Sequence, residues 1–444
     1  MEYIDNILFA GILVLGFGYF ISNIKKIIRN IKLGTAINRK DNPKARWTNM
    51  AKIALGQSKM IKRPIAGFFH ILIYVGFVII NLELLEICID GLFGTHRVFA
   101  PLGILYNVLI GSFEILAVLV LIAVFVFWIR RNGLPIKRFK SSDLKGKPTK
   151  DANYILYFEI VLMSLFLLMN AADYHLQHVP GGFGHYIQAG SFPISQYLEP
   201  IFDGMTPFLV FVLERIFWWL HIVIILVFLN YLYFSKHLHI ILAFPNTYYA
   251  DLNAKGKFDN LASVTHEVKI MMDPNADPYA TPVEDENIVP TKFGAADVHD
   301  LNWVQLLNAY TCTECGRCSS SCPANLTGKK LSPRKIMMDT RDRIEEVGRN
   351  MDKNKGVFIP DNKTLLNDYI TPEELWACTS CNACVEECPV NISPLSIIMD
   401  MRRYLVMEQS SAPQALNAMM TNIENNGAPW QYNQQDRLNW KNEA

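Results

Sequence analysis

The sequence predicts an all-α protein in which five membrane-spanning helices are followed by a smaller, cysteine-rich helical domain. The chain of 444 residues is 51% hydrophobic and only 19% charged, so it is more apolar than most soluble proteins. Its apolar residues gather in five long stretches of the first half, and eight of its nine cysteines form two short runs near the C-terminus. Cysteines clustered in this way indicate metal ligands in a reducing compartment rather than a disulfide-linked secreted domain.

Each of the five apolar stretches is long enough to cross a bilayer as a helix, which takes about 20 residues. A buried helix of a soluble core is the alternative for any one stretch, but five of them within about 240 residues favour a membrane bundle. The predicted spans are residues 7–24, 65–89, 102–129, 154–172 and 207–234.

The loops between these spans predict the orientation of the bundle. Twelve lysines and arginines lie in residues 25–63, between the first two spans, and eight more lie in residues 130–150. The loops on the opposite side carry Arg97 and, from residue 175 to residue 205, no lysine or arginine. By the positive-inside rule, the N-terminus lies outside the cytoplasmic (inner) membrane and everything after Phe234 is cytoplasmic. The net charge of +1 gives no sign of a nucleic-acid partner, and none is predicted.

Three histidines lie within or next to the predicted spans, where ionisable residues are costly and often functional. His70 is near the cytoplasmic side of the second span, His221 is in the middle of the fifth, and His239 follows 18 residues later. On a continuous helix, 18 residues are about five turns, which places His221 and His239 on one face about 27 Å apart. His237 points about 160° away from His221 and is the weaker candidate. Hydrogen bonding within the bundle explains any single histidine as well as metal ligation does.

The residues around two of these histidines resemble a known family. Phe68-Phe69-His70 and Leu238-His239-Ile240 resemble the haem-binding subunit of respiratory nitrate reductases, a five-helix protein with its N-terminus outside. That family is similar to the membrane subunit of membrane-bound heterodisulfide reductases. The resemblance covers residues 1–245 and implies a membrane haem b domain. It also implies that His70 and His239 are the axial ligands of a haem on the cytoplasmic side.

A second haem in that family takes one ligand from the second helix, ten residues after the first histidine, and this chain has Ile80 there. His221 remains in the family position for the other ligand. Two interpretations stay open. His221 either ligates a second haem, with His175 or His178 as a substitute partner, or has a structural or quinone-contacting role.

Glutamates also occur within or near the spans, where an ionisable residue raises a functional question. Those near helix ends are expected to face water or to pair with a neighbour. Two, Glu159 and Glu214, have side chains able to carry protons for a quinone, but the sequence does not select them. The five glutamates are Glu83, Glu86, Glu114, Glu159 and Glu214.

The apolar periodicity stops after the membrane half. In residues 246–300, Asp, Asn and Pro accumulate, which predicts an extended cytoplasmic linker. Helical spacing resumes at residues 301–309, which predicts the first helix of the cysteine-rich domain.

The two cysteine runs are repeats of one pattern. Both read C-x2-C-x2-C-x3-C-P, with cysteines at 312, 315, 318 and 322 and again at 378, 381, 384 and 388. In such runs three thiolates wrap one face of a [4Fe-4S] cluster, and the fourth reaches the other cluster. The first cluster is therefore predicted on Cys312, Cys315, Cys318 and Cys388, and the second on Cys378, Cys381, Cys384 and Cys322. Zinc sites also use C-x2-C spacing, but they do not explain the repeated third cysteine, the x3 gap or the proline. Cys88 is expected to be a packing residue.

A second repeat follows the cysteine runs. Ser332-Pro333 and Ser393-Pro394 each place a serine N-cap before a proline at the first helical position, which predicts a helix after each run. The 55 residues between Cys322 and Cys378 are too many for the tight β-hairpin ferredoxin. The sequence therefore predicts an α-helical dicluster ferredoxin-like domain over residues 301–444, including a C-terminal tail. This part resembles the small iron-sulfur subunit of heterodisulfide reductases and the cluster domain of succinate dehydrogenase.

No Gly-rich nucleotide loop or catalytic triad is evident, so the sequence favours an electron relay and leaves catalytic residues unassigned. The fused architecture resembles membrane-bound, heterodisulfide reductase-related quinone oxidoreductases. The run from Phe293 to Trp303, followed by Tyr310-Thr-Cys-Thr-Glu-Cys, is similar to members proposed to accept electrons from electron-transfer flavoprotein. Those relatives carry a cysteine-rich CCG domain, which is expected here as a separate soluble subunit.

The resemblance implies that electrons pass between that soluble partner, two [4Fe-4S] clusters, haem b and the quinone pool of a respiratory chain. Three alternatives remain. The chain could be a quinol-oxidising subunit that drives a cytoplasmic reductase. It could instead be a redox-sensing binding module, or a membrane protein whose cysteines hold zinc.

Overall fold

The computed structural model of the chain describes residues 3–274 and 292–442, and these residues form helices and loops without a named β-strand. The helices of the first stretch are α1 (Ile4–Ile31), α2 (Pro43–Met50), α3 (Pro64–Phe93), α4 (Ile104–Trp128), α5 (Lys147–Gln177), α6 (Pro207–Tyr231), α7 (His239–Tyr248) and α8 (Ala262–Met272). The helices in residues 292–442 are α9 (Trp303–Thr311), α10 (Arg317–Ser320), α11 (Pro323–Leu326), α12 (Pro333–Lys353), α13 (Leu365–Asp368), α14 (Pro372–Trp376), α15 (Ala383–Glu387), α16 (Pro394–Met407) and α17 (Gln414–Asn426).

Five helices are long and apolar enough to cross a membrane, and they confirm the five predicted spans. Most of these helices are longer than the predicted apolar stretches. In α1, for example, the helix continues through the charged residues Lys25 and Arg29. The described spans are Ile4–Ile31, Pro64–Phe93, Ile104–Gly133, Lys147–Gln177 and Pro207–Phe234.

The helices of the bundle pack in chain order. α3 contacts α4, α4 contacts α5 and α5 contacts α6, while α1 contacts both α3 and α6. The core of the bundle lies between α4, α5 and α6, where Ala117, Phe166 and Ile222 are at most 1% exposed. α1 keeps residues such as Val14 and Leu15 exposed, as expected of a helix in contact with lipid.

The fifth span ends before His239. α6 and its last turn reach Phe234, and Ser235 is extended, with φ −113° and ψ 147°. The Ser235 hydroxyl accepts the backbone N–H of His237 (3.1 Å), and α7 begins at His239. The prediction that His221 and His239 share one face of a continuous helix is therefore wrong, because the chain changes direction between them.

The segment predicted as an extended linker is partly helical. α7 ends at Tyr248, and Ala262–Met272 forms α8. The Asp- and Pro-rich residues 275–291 lie outside the described residues. α8 is short and begins without a side-chain cap, so it has none of the start signals on which sequence reasoning depends.

The cysteine-rich domain is built on α9, α12 and α16, with α12 in contact with both of the others. The predicted helix starts are confirmed: Ser332 accepts the backbone N–H of Lys335, and Ser393 accepts that of Ser396. Ile336, Ile344 and Ile397, together with Met401, are fully buried in the core of this domain.

The cysteine-rich domain docks on the end of the bundle that carries the basic loops. At the end of α1, Arg29 donates to the carbonyl of Gly348 (3.1 Å) and Asn30 donates to the Tyr310 hydroxyl (2.9 Å). A Cβ atom at Gly348 would lie only 2.4 Å from the Asn30 amide, so this close approach requires glycine. We call this end of the bundle the docked end. The far end is the opposite one, with loops 94–103 and 178–206.

The loop between α4 and α5 is part of the same interface. Arg334 of α12 is 1% exposed, and its guanidinium donates to both carboxylate oxygens of Asp143 (2.6 and 3.0 Å). It also donates to the backbone carbonyl of Arg138 (2.8 Å). Burial of the Arg334 charge is tolerated because this loop pairs it and satisfies its donors.

Candidate functional site

The structure brings the eight predicted cluster ligands into two neighbouring groups, each of which mixes cysteines from both runs. Cys388 lines one cavity with the first three cysteines of the first run, and Cys384 also borders this cavity. Cys384 interacts electrostatically with Cys378, Cys322 and Cys381, which assigns it to the other group. The first group is Cys312, Cys315, Cys318 and Cys388, and the second is Cys322, Cys378, Cys381 and Cys384. This crosswise arrangement is the one that the cysteine spacing predicts.

The two cysteine loops have the same backbone conformation. The residue before the second cysteine of each run has a positive φ: 54° at Glu314 and 56° at Ser380. The residue after it does so as well, with 70° at Gly316 and 61° at Asn382. A Cβ atom at Gly316 would lie 2.5 Å from a guanidinium nitrogen of Arg334, which explains glycine there. The matching left-handed residues turn each loop around a common centre.

The spacing of the sulfur atoms argues against zinc. A zinc ion binds sulfur at about 2.3 Å in a tetrahedron, which puts the four sulfurs within about 3.8 Å of one another. Among the residues that the structure describes, no three cysteine sulfurs lie within 4.8 Å of one another. The groups are therefore wider than a single zinc ion requires and fit the larger iron-sulfur clusters better.

Each group contains two buried cysteines, and the second group also contains one exposed cysteine. Cys312 and Cys388 of the first group are buried, and burial raises the pKa of the Cys312 thiol to about 12 and that of Cys388 to about 11. Cys381 of the second group is exposed. Buried thiols of this kind stay protonated unless a metal centre takes the place of the proton. A backbone N–H also points at a sulfur in each group, from Ile392 to Cys388 (3.3 Å) and from Ser380 to Cys378 (3.4 Å), and such bonds tune cluster potentials.

A buried ion-pair network joins the first group to the membrane half. Glu314, between Cys312 and Cys315, pairs with Lys236 and with Arg341 (2.6 Å), and all three side chains are at most 15% exposed. Burial raises the pKa of Glu314, but Lys236 and Arg341 lower it more, so the carboxyl has a pKa below its usual range. Glu314 is therefore a fixed negative charge beside the first cysteine group.

Three histidines converge beside this network. His237 and His239 have ring centroids 5.5 Å apart, and burial, followed by His239 and His70, lowers the pKa of His237 to about 3. His239 Nδ1 lies 3.1 Å from the backbone carbonyl of Lys236. A histidine held in this way presents its other ring nitrogen to a metal, and such a second contact is typical of ligating histidines. His70 also has a buried ring nitrogen, Nδ1, without a hydrogen-bond partner, so His70 and His239 would be able to hold a metal centre such as haem iron.

His221 lies elsewhere, in a cavity at the centre of the bundle. This central cavity has a volume of about 700 Å³, which includes open solvent at its edge, and is lined mainly by apolar side chains such as Ile80 and Phe166. Its polar groups are His221, Asn81, Glu83 and Glu159. The described lining includes no second histidine.

His175 and His178, the proposed substitute partners of His221, are not in the described lining of the central cavity. His175 Nδ1 lies 2.6 Å from a carboxylate oxygen of Glu199, and His178 Nδ1 lies 2.8 Å from the carbonyl of Tyr174. The structure therefore does not bring either residue to His221. Their position near the end of α5 is consistent with this result.

Sequence reasoning missed Lys236, Glu314 and Arg341. Lys236 follows a membrane span, so from sequence it is interpreted as an ordinary interfacial residue. Glu314 lies between two cysteines, so it is interpreted as a solvated loop residue. The one sequence feature that could have indicated a role for Glu314 is its position inside the ligand loop, where a charge changes the reduction potential of a cluster.

These features define an iron-sulfur protein with five candidate membrane helices. Residues 311–392 match the family described as 4Fe-4S dicluster domain, which supports two [4Fe-4S] clusters. A comparison with solved structures gave no match.

Known relatives are consistent with that class. The chain is 29% identical to the "Probable iron-sulfur-binding oxidoreductase FadF" of Bacillus subtilis over 96% of its own length. It is 27% identical to the "EtfAB:quinone oxidoreductase" of Syntrophomonas wolfei over 92% of its length. The chain spans only 59% and 55% of these two relatives. A quarter of the chain (24%) is 33% identical to a subunit of a CoB-CoM heterodisulfide reductase from Methanosarcina acetivorans. Together the comparisons indicate an iron-sulfur protein with a role in redox electron transfer.

Proposed function

We propose that this chain is a membrane-bound electron relay between a soluble cytoplasmic partner and membrane quinone. In this proposal, residues 1–245 form a haem b membrane domain, 246–300 a linker and 301–444 the dicluster domain. The N-terminus lies outside the cytoplasmic membrane, and the dicluster domain lies in the cytoplasm. The basic loops of the docked end support this orientation.

The observation that carries the proposal is the contact between Glu314 and Lys236. Glu314 belongs to the loop of the first cysteine group, and the carbonyl of Lys236 contacts His239. The proposed electron-transfer path from the first cysteine group to His239 thus runs through Glu314 and Lys236, which are both buried. Haem b, bound by His70 and His239, would supply a one-electron centre at the membrane end of this path.

The exposure of the cysteines supports an order for the relay. Cys381 of the second group is exposed and would face a soluble partner, while the first group lies beside the Glu314–Lys236 pair that connects it to the membrane half. The name of the Syntrophomonas relative supports electron-transfer flavoprotein as that partner. We infer that a CCG-type cysteine-rich subunit connects the two.

Metal content tests the proposal directly. The purified, detergent-solubilised chain should contain about eight non-haem iron atoms and eight acid-labile sulfides, because two [4Fe-4S] clusters hold that number. It should also contain b-type haem, visible in a reduced-minus-oxidised optical spectrum. Zinc in place of iron, with no haem absorbance, would contradict both halves of the proposal.

Replacing Lys236 by methionine should lower the reduction potential of the first cluster. The change removes a positive charge and leaves Glu314 with Arg341 alone. A charge about 10 Å away at an effective dielectric constant of about 20 is worth about 1.7 kcal/mol, or about 70 mV for one electron. Electron paramagnetic resonance during a redox titration measures the shift.

Lys363→Met is the matched control for this measurement. Lys363 pairs with Glu346 on the surface of the same domain, and its side chain is 48% exposed. Its removal should shift the potential by less than about 15 mV, because exposed charges are screened by water. Equal shifts in the two variants would mean that Lys236 does not act on the first cluster.

A further inference from the structure

Glu83 lies between two cavities of the membrane bundle. One is the central cavity that contains His221, and the other is a cavity at the far end, which we call the far-end cavity. Glu83 and Ile87, one turn apart on α3, line both. Since Ile87 is apolar, Glu83 is the ionisable side chain that the two described linings share.

The far-end cavity is polar and partly open to water. It encloses about 990 Å³, including some open solvent, near the start of α6 and the loop after α3. Polar side chains from five parts of the chain line it. The polar residues of its lining are Asp5, Asn6, Glu83, Glu86, Asp90, Thr95, His96, Arg97, Asp173, His185, Glu214 and Arg215.

The carboxylates around Glu83 are each held by hydrogen bonds. Glu86 accepts the backbone N–H of Phe99 (2.9 Å) and the Tyr106 hydroxyl (3.0 Å). Asp173 accepts a guanidinium N–H of Arg97 (2.8 Å). Such bonds fix the orientation of these carboxyl groups.

Two other carboxylates of the bundle are held in the same way. Glu114 accepts the backbone N–H groups of Ile194 (2.9 Å) and Ser195 (3.1 Å). Glu214 pairs with Arg215 and accepts the Tyr186 hydroxyl (2.8 Å).

Glu83 differs from all of these. It is 3% exposed, and its Oε2 atom is buried without a hydrogen-bond partner. An unpaired oxygen of a buried carboxyl is costly unless the group serves a function. At the boundary of a wet and an apolar cavity, a carboxyl that no bond fixes is free to take a proton on one side and release it on the other.

We propose that Glu83 carries protons between water in the far-end cavity and a quinone in the central cavity. The inference rests on the proposed function, since it needs the relay to supply electrons. We assign the central cavity to a quinone rather than to a second haem because its described lining offers one histidine and several proton-bearing groups. Exposed Phe77 and Asn81 at its edge provide access from the lipid.

Quinone reduction through Glu83 balances in electrons and protons. A quinone takes two electrons, one at a time from the relay, and two protons, and its two carbonyl oxygens become hydroxyl groups. Glu83 releases a proton toward the quinone for each electron and is reprotonated from the far-end water. Quinol oxidation reverses every step. Because the far end is opposite the dicluster domain, electrons and protons reach the quinone from opposite sides of the membrane.

The charge of Glu83 responds to the groups that face it. From the far end these are Glu86, Glu114, Asp173 and Arg97. From the central cavity they are Glu159 and His221. Substitution of Glu83 alone leaves these groups in place.

The test uses the full chain in vesicles whose dicluster domain faces outward, with a naphthoquinone in the membrane, dithionite outside and a pH dye inside. The wild type should make the vesicle interior alkaline as quinol forms, with two protons consumed per quinol. Glu83→Gln should slow quinol formation at least about 20-fold and abolish the interior pH change, with haem and cluster content unchanged. Glu83→Asp should retain part of both signals. Glu199→Gln, at the far end but outside both described linings, should behave as the wild type.

A second measurement needs no electron donor. The infrared C=O stretch of a buried carboxylic acid should respond to the pH inside the vesicle, shift in D2O and disappear in Glu83→Gln. If the wild type holds its cofactors but reduces no quinone, the proposed function is wrong. The infrared C=O band then tests the proton-carrying role of Glu83 independently. Normal quinol formation with interior alkalinisation in Glu83→Gln overturns the inference. A haem content that halves in His221→Ala also overturns it.

Discussion

Substituting His70 by alanine should abolish the haem b absorbance and leave both cluster signals intact. His70 lies on α3, in the membrane half, while every predicted cluster ligand lies in the docked domain. Loss of one axial ligand from an apolar site removes most of the binding energy, because the porphyrin gains little from an incomplete coordination sphere. The measurement is haem content by optical difference spectrum, with iron and sulfide determined on the same sample.

Other histidines make this prediction specific. His239→Ala should give the same loss as His70→Ala. His237→Ala should keep most of the haem, because the Lys236 carbonyl contacts His239 Nδ1 and orients that ring instead. His178→Ala, at the far end, should have no effect. Normal haem content in His70→Ala would rule out His70 as a ligand, and haem loss in His237→Ala alone would transfer the assignment to His237.

Substituting Cys388 by serine should remove or convert the cluster on Cys312, Cys315 and Cys318 and spare the other one. Cys388 follows Cys384 by four residues in sequence, yet its thiol interacts with Cys315 of the first run, while that of Cys384 interacts with Cys378 and Cys322. Serine is a weak substitute for a thiolate ligand. We expect loss of up to about four of the eight irons, with the electron paramagnetic resonance signal of one cluster lost and that of the other retained.

Cys322→Ser is the reciprocal test, since it should affect the cluster on Cys378, Cys381 and Cys384. Cys88→Ser should change neither signal, because Cys88 lies on α3 in the membrane half. If Cys388→Ser and Cys322→Ser each damage the cluster of their own sequence run, the crosswise assignment of the ligands is incorrect.

Features set by local sequence could be predicted. The five spans depend on apolar length, and the helix starts at Ser332 and Ser393 depend on short capping motifs. The two cysteine groups depend on spacing that only a few arrangements satisfy. For the spans and the helix starts the information lies within about 30 residues, and for the cysteine groups it lies in two short runs of the same spacing.

Features set by distant contacts could not be predicted. Lys236 and Glu314 are 78 residues apart, and no local pattern connects them. The fifth apolar span ends at Phe234, but no local pattern shows that the helix breaks at Ser235 instead of continuing to His239. The unpaired Oε2 atom of Glu83 likewise cannot be predicted from sequence, because it is recognised only when the hydrogen-bond partners of the neighbouring carboxylates are known.

The contact between Arg334 and Asp143 has a consequence for how the protein is made. Asp143 precedes Arg334 by 191 residues. At a synthesis rate of about 5–20 residues per second, Asp143 leaves the ribosome roughly 10 to 40 s earlier. During this interval the α4–α5 loop stands at the membrane surface with its carboxylate in water. The later part of the chain therefore meets a loop that has already been made, and the Arg334 guanidinium becomes buried only when the two parts dock.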